Sequence, residues 1–234
     1  MLRRRRRESG DQPDLYEPDD DSQVAAPPQG GPWDIADDFP ESERIDCGSV
    51  LVPVREGYDV QINVAEEQGA WVAIVNGDSG MQLQAFAAPR TGGLWDEVRH
   101  EIAANIADSG GSCHESAGAA GTELRAQVPV AEENGTPEQL QPVRFLGFDG
   151  PRWFLRGVVS GPAATEPAMG APFDELFADV VVVRGDYPAP PREQLEIRLP
   201  EEARQALEAQ LAEEHPDWEL PDPFTRGPEI TETR

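Results

Sequence analysis

The run Gln141–Gly161, QPVRFLGFDGPRWFLRGVVSG, decides how this chain is read. Two apolar-rich segments flank an Asp149-Gly150-Pro151 turn, with Arg144, Arg152 and Arg156 set among aromatic and aliphatic residues, and the pattern predicts a β-hairpin. An Asp149-Gly150 two-residue loop would make Pro151 the partner of Phe148 in the closing pair, and proline has no N–H to give there. Moving the register by one, so that Phe148 faces Arg152 across three residues (or Gly147 faces Trp153 across five), sorts the side chains by face. Val143, Phe145, Gly147, Trp153, Leu155, Gly157 and Val159 then form one apolar face. Arg144, Leu146, Phe148, Arg152, Phe154 and Arg156 form the other, with Arg144 directly opposite Arg156. The register is chosen although Pro151 cannot take the left-handed third position that a three-residue loop favours, because the other parity would bury arginines.

Upstream of the hairpin the chain reads as strands. Ile45–Val54 is a β-rich run, and Tyr58–Ala65 alternates Tyr58, Val60, Ile62 and Val64 against Asp59, Gln61 and Asn63, the mark of an antiparallel sheet with one wet face. Ala70–Val75, a turn at Asn76-Gly77-Asp78-Ser79-Gly80 and Met81–Ala88 complete a meander. Leu94–Asp108 is helical, with Leu94, Val98, Ile102 and Ile106 on one stripe and Gly110-Gly111 as its stop. Ser112–Ser116 and Thr122–Val130 are strands, the second with Leu124, Ala126, Val128 and Val130 inward, and Glu132–Gln141 is a polar loop.

Downstream, the Ala/Pro/Gly stretch to Ala171 reads as a loop and Pro172 as the first turn of a short helix carrying Phe173, Leu176 and Phe177. Val180–Val183 is a β-branched strand buried on both faces, Tyr187–Pro191 an extended linker and Pro200–Glu214 a second amphipathic helix. The expected fold is α+β: a mostly antiparallel sheet of about eight or nine strands with the helices packed on its apolar face. A weaker likeness to sandwich folds of the Mog1/PsbP type rests on strand order alone.

The ends differ from the middle. Residues 1–40 carry Arg3–Arg7 and then ten acids among prolines, and cannot bury enough surface to order themselves. The expected division is therefore a disordered tail over 1–40, a single domain over 41–200, and a helix with a Pro-rich tail over 201–234. Of the 234 residues, 45 are acidic and 19 basic, for a formal net charge of -26. That charge argues against nucleic acid and anionic membranes as partners of the folded body. No run approaches the ~20 apolar residues of a membrane span, and the basic N-terminus lacks the apolar core of a signal peptide. A cytoplasmic location is expected, since Cys47 and Cys113 suggest neither a disulfide framework nor a metal site.

Catalytic patterns are absent from the sequence. Cys113 and His114 are adjacent, so on a strand they point to opposite faces and cannot act as a dyad. His100 lies on the outer face of its helix, His215 sits at a helix end, and no cofactor or metal signature is present. Gly92-Gly93 before a helix, with Arg90 just ahead, could hold an anion on free backbone N–H groups. Arg144, Arg152 and Arg156 could grip a carboxylate or phosphate with bidentate forks over an aromatic floor, or could be internal ion pairs.

Four blocks carry a family resemblance: FAAPRTGGLWDEVRHEIA (Phe86–Ala103), GTELRAQVPV (Gly121–Val130), FLGFDGPRWFLRGVVSG (Phe145–Gly161) and VVVVRGDYPAPPREQLEIRLP (Val180–Pro200). Together they resemble an uncharacterised actinobacterial family, a domain of unknown function with an arginine-rich N-terminus. The resemblance covers about Glu41–Pro200, implies a cytoplasmic actinobacterial origin, and carries over no cofactor or site. The leading expectation is a non-enzymatic binding or adaptor module with a protein partner. The alternative is an enzyme or sensor for a small anionic ligand, anchored by Arg144, Arg152, Arg156 and Arg90.

Overall fold

The computed structural model describes residues 31–65, 69–130, 139–201 and 203–205. In chain order the elements are β1 (Trp33–Asp34), β2 (Arg44–Asp46), β3 (Val50–Pro53), β4 (Asp59–Ala65), β5 (Gly69–Asn76), β6 (Ser79–Ala87) and α1 (Leu94–Asp108). Then come β7 (Ser112–Gly118), β8 (Gly121–Val130), β9 (Gln139–Gly150), β10 (Trp153–Ser160), a 3₁₀ turn at Gly161–Ala164, α2 (Pro167–Ala178) and β11 (Val181–Val182). No helix among them is long and apolar enough to cross a membrane.

Seven strands form one sheet in the order β4-β5-β6-β10-β9-β8-β7. Every pairing in it is antiparallel. It consists of two meanders, β4-β5-β6 and β7-β8-β9-β10, joined where β10 pairs with β6. The link between them is α1, which carries the chain from β6 to the far edge. A second sheet has the order β1-β11-β3-β2, with β11 parallel to β1 and antiparallel to β3. Among the described residues, eleven strands in two sheets thus replace the eight or nine expected in one. β1 also belongs to the fold, so the boundary drawn at residue 40 falls too late. The remainder of the expected tails, the loop 132–141 up to β9, and most of the helix over Pro200–Glu214 lie outside the described residues.

Both faces of the large sheet are covered. On one, Val72, Ile74, Met81, Leu83 and Leu155 pack against Val50, Val52, Val180 and Val182 of the small sheet and Phe173 and Phe177 of α2. On the other, Leu94 and Trp95 of α1 pack on Phe154, with Phe86, Val98, Ile102 and Phe145 around them. The helices therefore lie on opposite faces, which corrects the expectation of helices on one. Each large side chain so buried contributes about 1.5–3 kcal/mol. α1 lies where its apolar stripe placed it. α2 starts earlier than expected because Pro167 takes its first turn and Pro172 is accommodated inside it.

The hairpin differs from its expected register. Trp153 pairs with Gly150, Leu155 with Phe148, Arg156 with Gly147 and Val159 with Arg144. The loop is Pro151-Arg152, with Arg152 at φ 62°. Proline at the second position and a positive φ at the third are the features of a type II turn, which needs no N–H from Pro151. The parity is therefore opposite to the one chosen from face sorting. Sorting presumed one wet face, and a sheet covered on both sides removes that premise.

Candidate functional site

The inverted parity separates the arginines. Arg144 points to the face covered by the small sheet and α2, and Arg156 to the face covered by α1. Arg152 is exposed at the turn, and Arg90 is exposed in the loop before α1. Arg144 and Arg156 do not oppose each other, as Val159 and Gly147 are their partners across the hairpin.

Arg144 does face a like charge, but on the other neighbouring strand, where Arg125 of β8 is its partner. Glu123 lies between them. Its Oε2 accepts from Arg144 Nη2 at 2.7 Å and its Oε1 from Arg125 Nε at 2.7 Å. Ser116 Oγ donates to Oε1 at 3.1 Å, and Asp174 of α2 takes a further bond from Arg144 Nη2 at 2.8 Å. The Glu123 side chain is 1% exposed and that of Arg144 5%. Burial pushes the Glu123 carboxyl up, but the two guanidinia together hold it below its ordinary value. Burial raises Asp174 despite its pairing with Arg144. Like charges opposed on a sheet need an anion between them, and here the chain supplies it.

Arg156 has different surroundings. Its guanidinium lies over the Phe86 ring, 5.3 Å from the ring centroid. Its Nη2 donates to Gln84 Oε1, its Nε is buried with no acceptor, and no carboxylate of the described residues pairs with it. Burial alone lowers its pKa from the ordinary arginine value. An unmet buried donor costs about 1–3 kcal/mol, more for a charged group.

Beside Arg156 a groove of about 250 Å³ runs between α1 and the sheet. Phe86 and Phe154 form its floor, stacked at 5.9 Å between centroids. Leu94, Val98 and Ile102 form its helical wall, and Glu101 and Arg192 stand at its polar end. Arg192 comes from the segment after Tyr187–Pro191, where Arg192 N donates to Ala87 O at 2.7 Å and Leu195 N to Ala85 O at 2.8 Å. Its side chain is committed to Glu97 at 2.8 Å and Glu101 at 2.9 Å.

The groove owes its shape to Gly147, the partner of Arg156 across the hairpin. A Cβ there would stand 2.2 Å from the Trp95 ring, so glycine alone lets α1 lie this close to the sheet. Asp149 fixes the same N-terminal end of the helix: both carboxylate oxygens accept from Trp95 N at 3.2 Å. The Gly92-Gly93 turn thus presents its helix N-terminus to a carboxylate of the chain itself. Burial raises Asp149 while those backbone donors pull it down.

A second cleft, of about 310 Å³, lies on the opposite face beside the 3₁₀ turn, lined among others by Ser112, His114, Arg125, Gln127 and Thr165. Its cation, Arg125, is already paired with Glu123, which leaves less electrostatic demand there than at Arg156. Cys113 and His114 point to opposite faces, with Cys113 Sγ 4.0 Å from Ala103 O of α1 and His114 across from Arg125. Burial pushes the Cys47 thiol up to about 11, which makes it a poor nucleophile. No group of three or more His, Cys, Asp or Glu able to hold a metal ion occurs among the described residues.

Glu123, Asp149 and Arg192 were missed from sequence. Glu123 and Arg125 share a strand face two residues apart with opposite charges, a signal that could have marked an ion pair. Asp149 read as turn chemistry, and Arg192 lay between the expected linker Tyr187–Pro191 and the helix from Pro200, with no role assigned. The chain matches the family model described as "Protein of unknown function (DUF3710)" over residues 31–206. No curated protein and no solved structure matches it.

Proposed function

The chain belongs to the DUF3710 family, whose description names no activity, and we propose that it is a non-enzymatic binding module holding a small anionic ligand in the groove at Arg156. The observation that carries this reading is the uncompensated Arg156 guanidinium, desolvated beside an open apolar groove while the acids outnumber the bases across the chain. Arginine is the residue suited to bidentate recognition of carboxylate or phosphate, and an anion brought there would meet a half-buried cation that has given up part of its hydration. Binding rather than turnover is favoured because the groove holds no nucleophile and base in contact. Two free cysteines support the cytoplasmic location.

The test is a thermal-shift screen of the whole chain against carboxylates, sugar phosphates, nucleotides and inorganic phosphate, repeated on Arg156→Gln. A ligand at a hundredfold over Kd adds about 2.7 kcal/mol of stability. A shift that disappears in Arg156→Gln supports the site; no shift with any anion, or equal shifts in the two proteins, rules it out. The adaptor reading has a separate support, the outer strands β4 and β7 of the large sheet, whose free edges suit strand addition by a protein partner.

A further inference from the structure

Resting on that reading of the Arg156 groove, we infer that its ligand is a monocarboxylate with an apolar body of roughly six to eight carbons, and that Glu101 is the residue that excludes doubly charged anions.

Charge decides the head group. Two cations border the groove, but Arg192 already bridges Glu97 and Glu101. Only Arg156 is left to be neutralised, and one negative charge does that. A phosphate monoester near neutral pH carries most of a second charge. That charge would be held in a partly desolvated groove against the Glu101 carboxylate, where like charges repel more strongly than in water. A carboxylate also matches the planar guanidinium fork, whose charge no carboxylate of the described residues answers.

Shape decides the body. A volume of about 250 Å³ corresponds to about eight water-sized units at ~30 Å³ each. The walls are two stacked phenyl rings and the aliphatic stripe of α1, with Asn105 on the same helix as the one neutral hydrogen-bonding side chain among the lining residues. Sugars and nucleotides would leave most of their hydroxyls and amides unmet there, at a cost for each. A straight or aromatic hydrocarbon body gains about 0.8 kcal/mol per buried CH₂. Affinity is therefore expected to rise with chain length until the groove is full.

The experiment is titration calorimetry on the full chain with butanoate, octanoate, 3-phenylpropanoate, octanol and octyl phosphate at pH 8, on wild type, Arg156→Gln and Glu101→Gln. Octanoate and phenylpropanoate are expected to bind at least tenfold tighter than butanoate, octanol and octyl phosphate, and at least tenfold more weakly to Arg156→Gln. Glu101→Gln is expected to tighten octyl phosphate more than octanoate and so narrow the gap. Octyl phosphate binding wild type as well as octanoate through Arg156 would overturn the single-charge inference while leaving the site intact. Short polar anions binding through Arg156 as well as octanoate would overturn the apolar body. Absence of any Arg156-dependent binding would remove the site and this inference with it.

Discussion

Arg144 and Arg156 stand on adjacent strands of one hairpin and leave it in opposite directions, into two kinds of environment. Arg144 enters a closed network in which Glu123 and Asp174 answer its charge. Arg156 enters an apolar groove in which a phenyl ring and an amide oxygen are its partners. Arg144 is buried and Arg156 half-buried. The first is a cross-brace that ties β8 and β9 to α2; the second is a cation held at a desolvation cost that the described residues leave unanswered. Residue type and local pattern were the same for the two, and the tertiary surroundings gave one two carboxylate partners and the other none among the described residues.

The largest effect should come from breaking the closed network. Arg144→Met leaves Glu123, itself 1% exposed, without its main partner, and removal of one member of a buried pair costs about 3–5 kcal/mol. Urea unfolding measures it. Adding Glu123→Leu to that variant should restore much of the loss, since an apolar replacement of both partners is often near neutral. A cost of less than about 1 kcal/mol for Arg144→Met would mean that the network contributes no more than a surface pair.

The next effect is smaller because an amide keeps part of the hydrogen bonding. Glu123→Gln should cost about 1.5–3 kcal/mol at pH 7, the scale of a hydrogen bond to a charged group. Its pH dependence has a definite sign. The folded-state value of Glu123 lies below the unfolded 4.5, so its contribution is complete above 4.5 and is lost as pH falls through the folded value. Wild type and variant should therefore converge in stability on acidification. Asp174, raised above 3.8, has the opposite sign: its contribution is complete below 3.8 and is lost as pH rises through the folded value. Urea midpoints from pH 7 to pH 3 for wild type, Glu123→Gln and Asp174→Asn check both, and a Glu123→Gln curve parallel to wild type would show that the carboxyl is not held low.

On the other face, Gly147→Ala puts a Cβ against the Trp95 ring, 2.2 Å away, with a rigid indole as the neighbour. Overpacking of this kind costs about 1–3 kcal/mol. The change should also shift α1 off the sheet and so weaken anion binding at Arg156, without altering the acid response that Glu123 gives. Near-ultraviolet circular dichroism of the tryptophans, read beside the octanoate titration, would detect the displacement. A variant with wild-type stability and binding would show that α1 does not depend on this approach.

How much of this was legible beforehand differs between elements. The strand alternation over Tyr58–Ala65, the turn at Gly77 and the span of α1 follow from local periodicity and stop signals, and they stand as read. The hairpin register does not, because it depends on what covers the sheet. With one face wet, the parity that gathers the arginines is the better one; with both faces covered, a type II Pro151-Arg152 turn and buried arginines are compatible, provided each finds its own environment. The small sheet that supplies the second cover is built from two- to four-residue strands far apart in sequence. Strands that short carry no periodic signal. The groove was illegible for the same reason, since its floor, wall and mouth come from β6 and β10, α1 and the segment around Arg192.

The smallest effect on stability is the one that most sharpens the contrast. Arg156→Met replaces a desolvated cation by a flexible apolar chain that can still lie on Phe86. It gives up a cation–π contact of about 0.5–1 kcal/mol and the hydrogen bond to Gln84, about 1.5–3 kcal/mol, and relieves an unmet buried donor worth about 1–3 kcal/mol together with the desolvation of the charge. Losses and gains nearly offset, so the ligand-free variant should fall within about 1 kcal/mol of wild type. The same change made on Arg144 is expected to be severely destabilising. Urea unfolding of the two variants side by side reads the difference directly. A loss at Arg156 as large as that at Arg144 would mean that its guanidinium is as fully answered within the fold, and the groove would then have no charge left to offer a ligand.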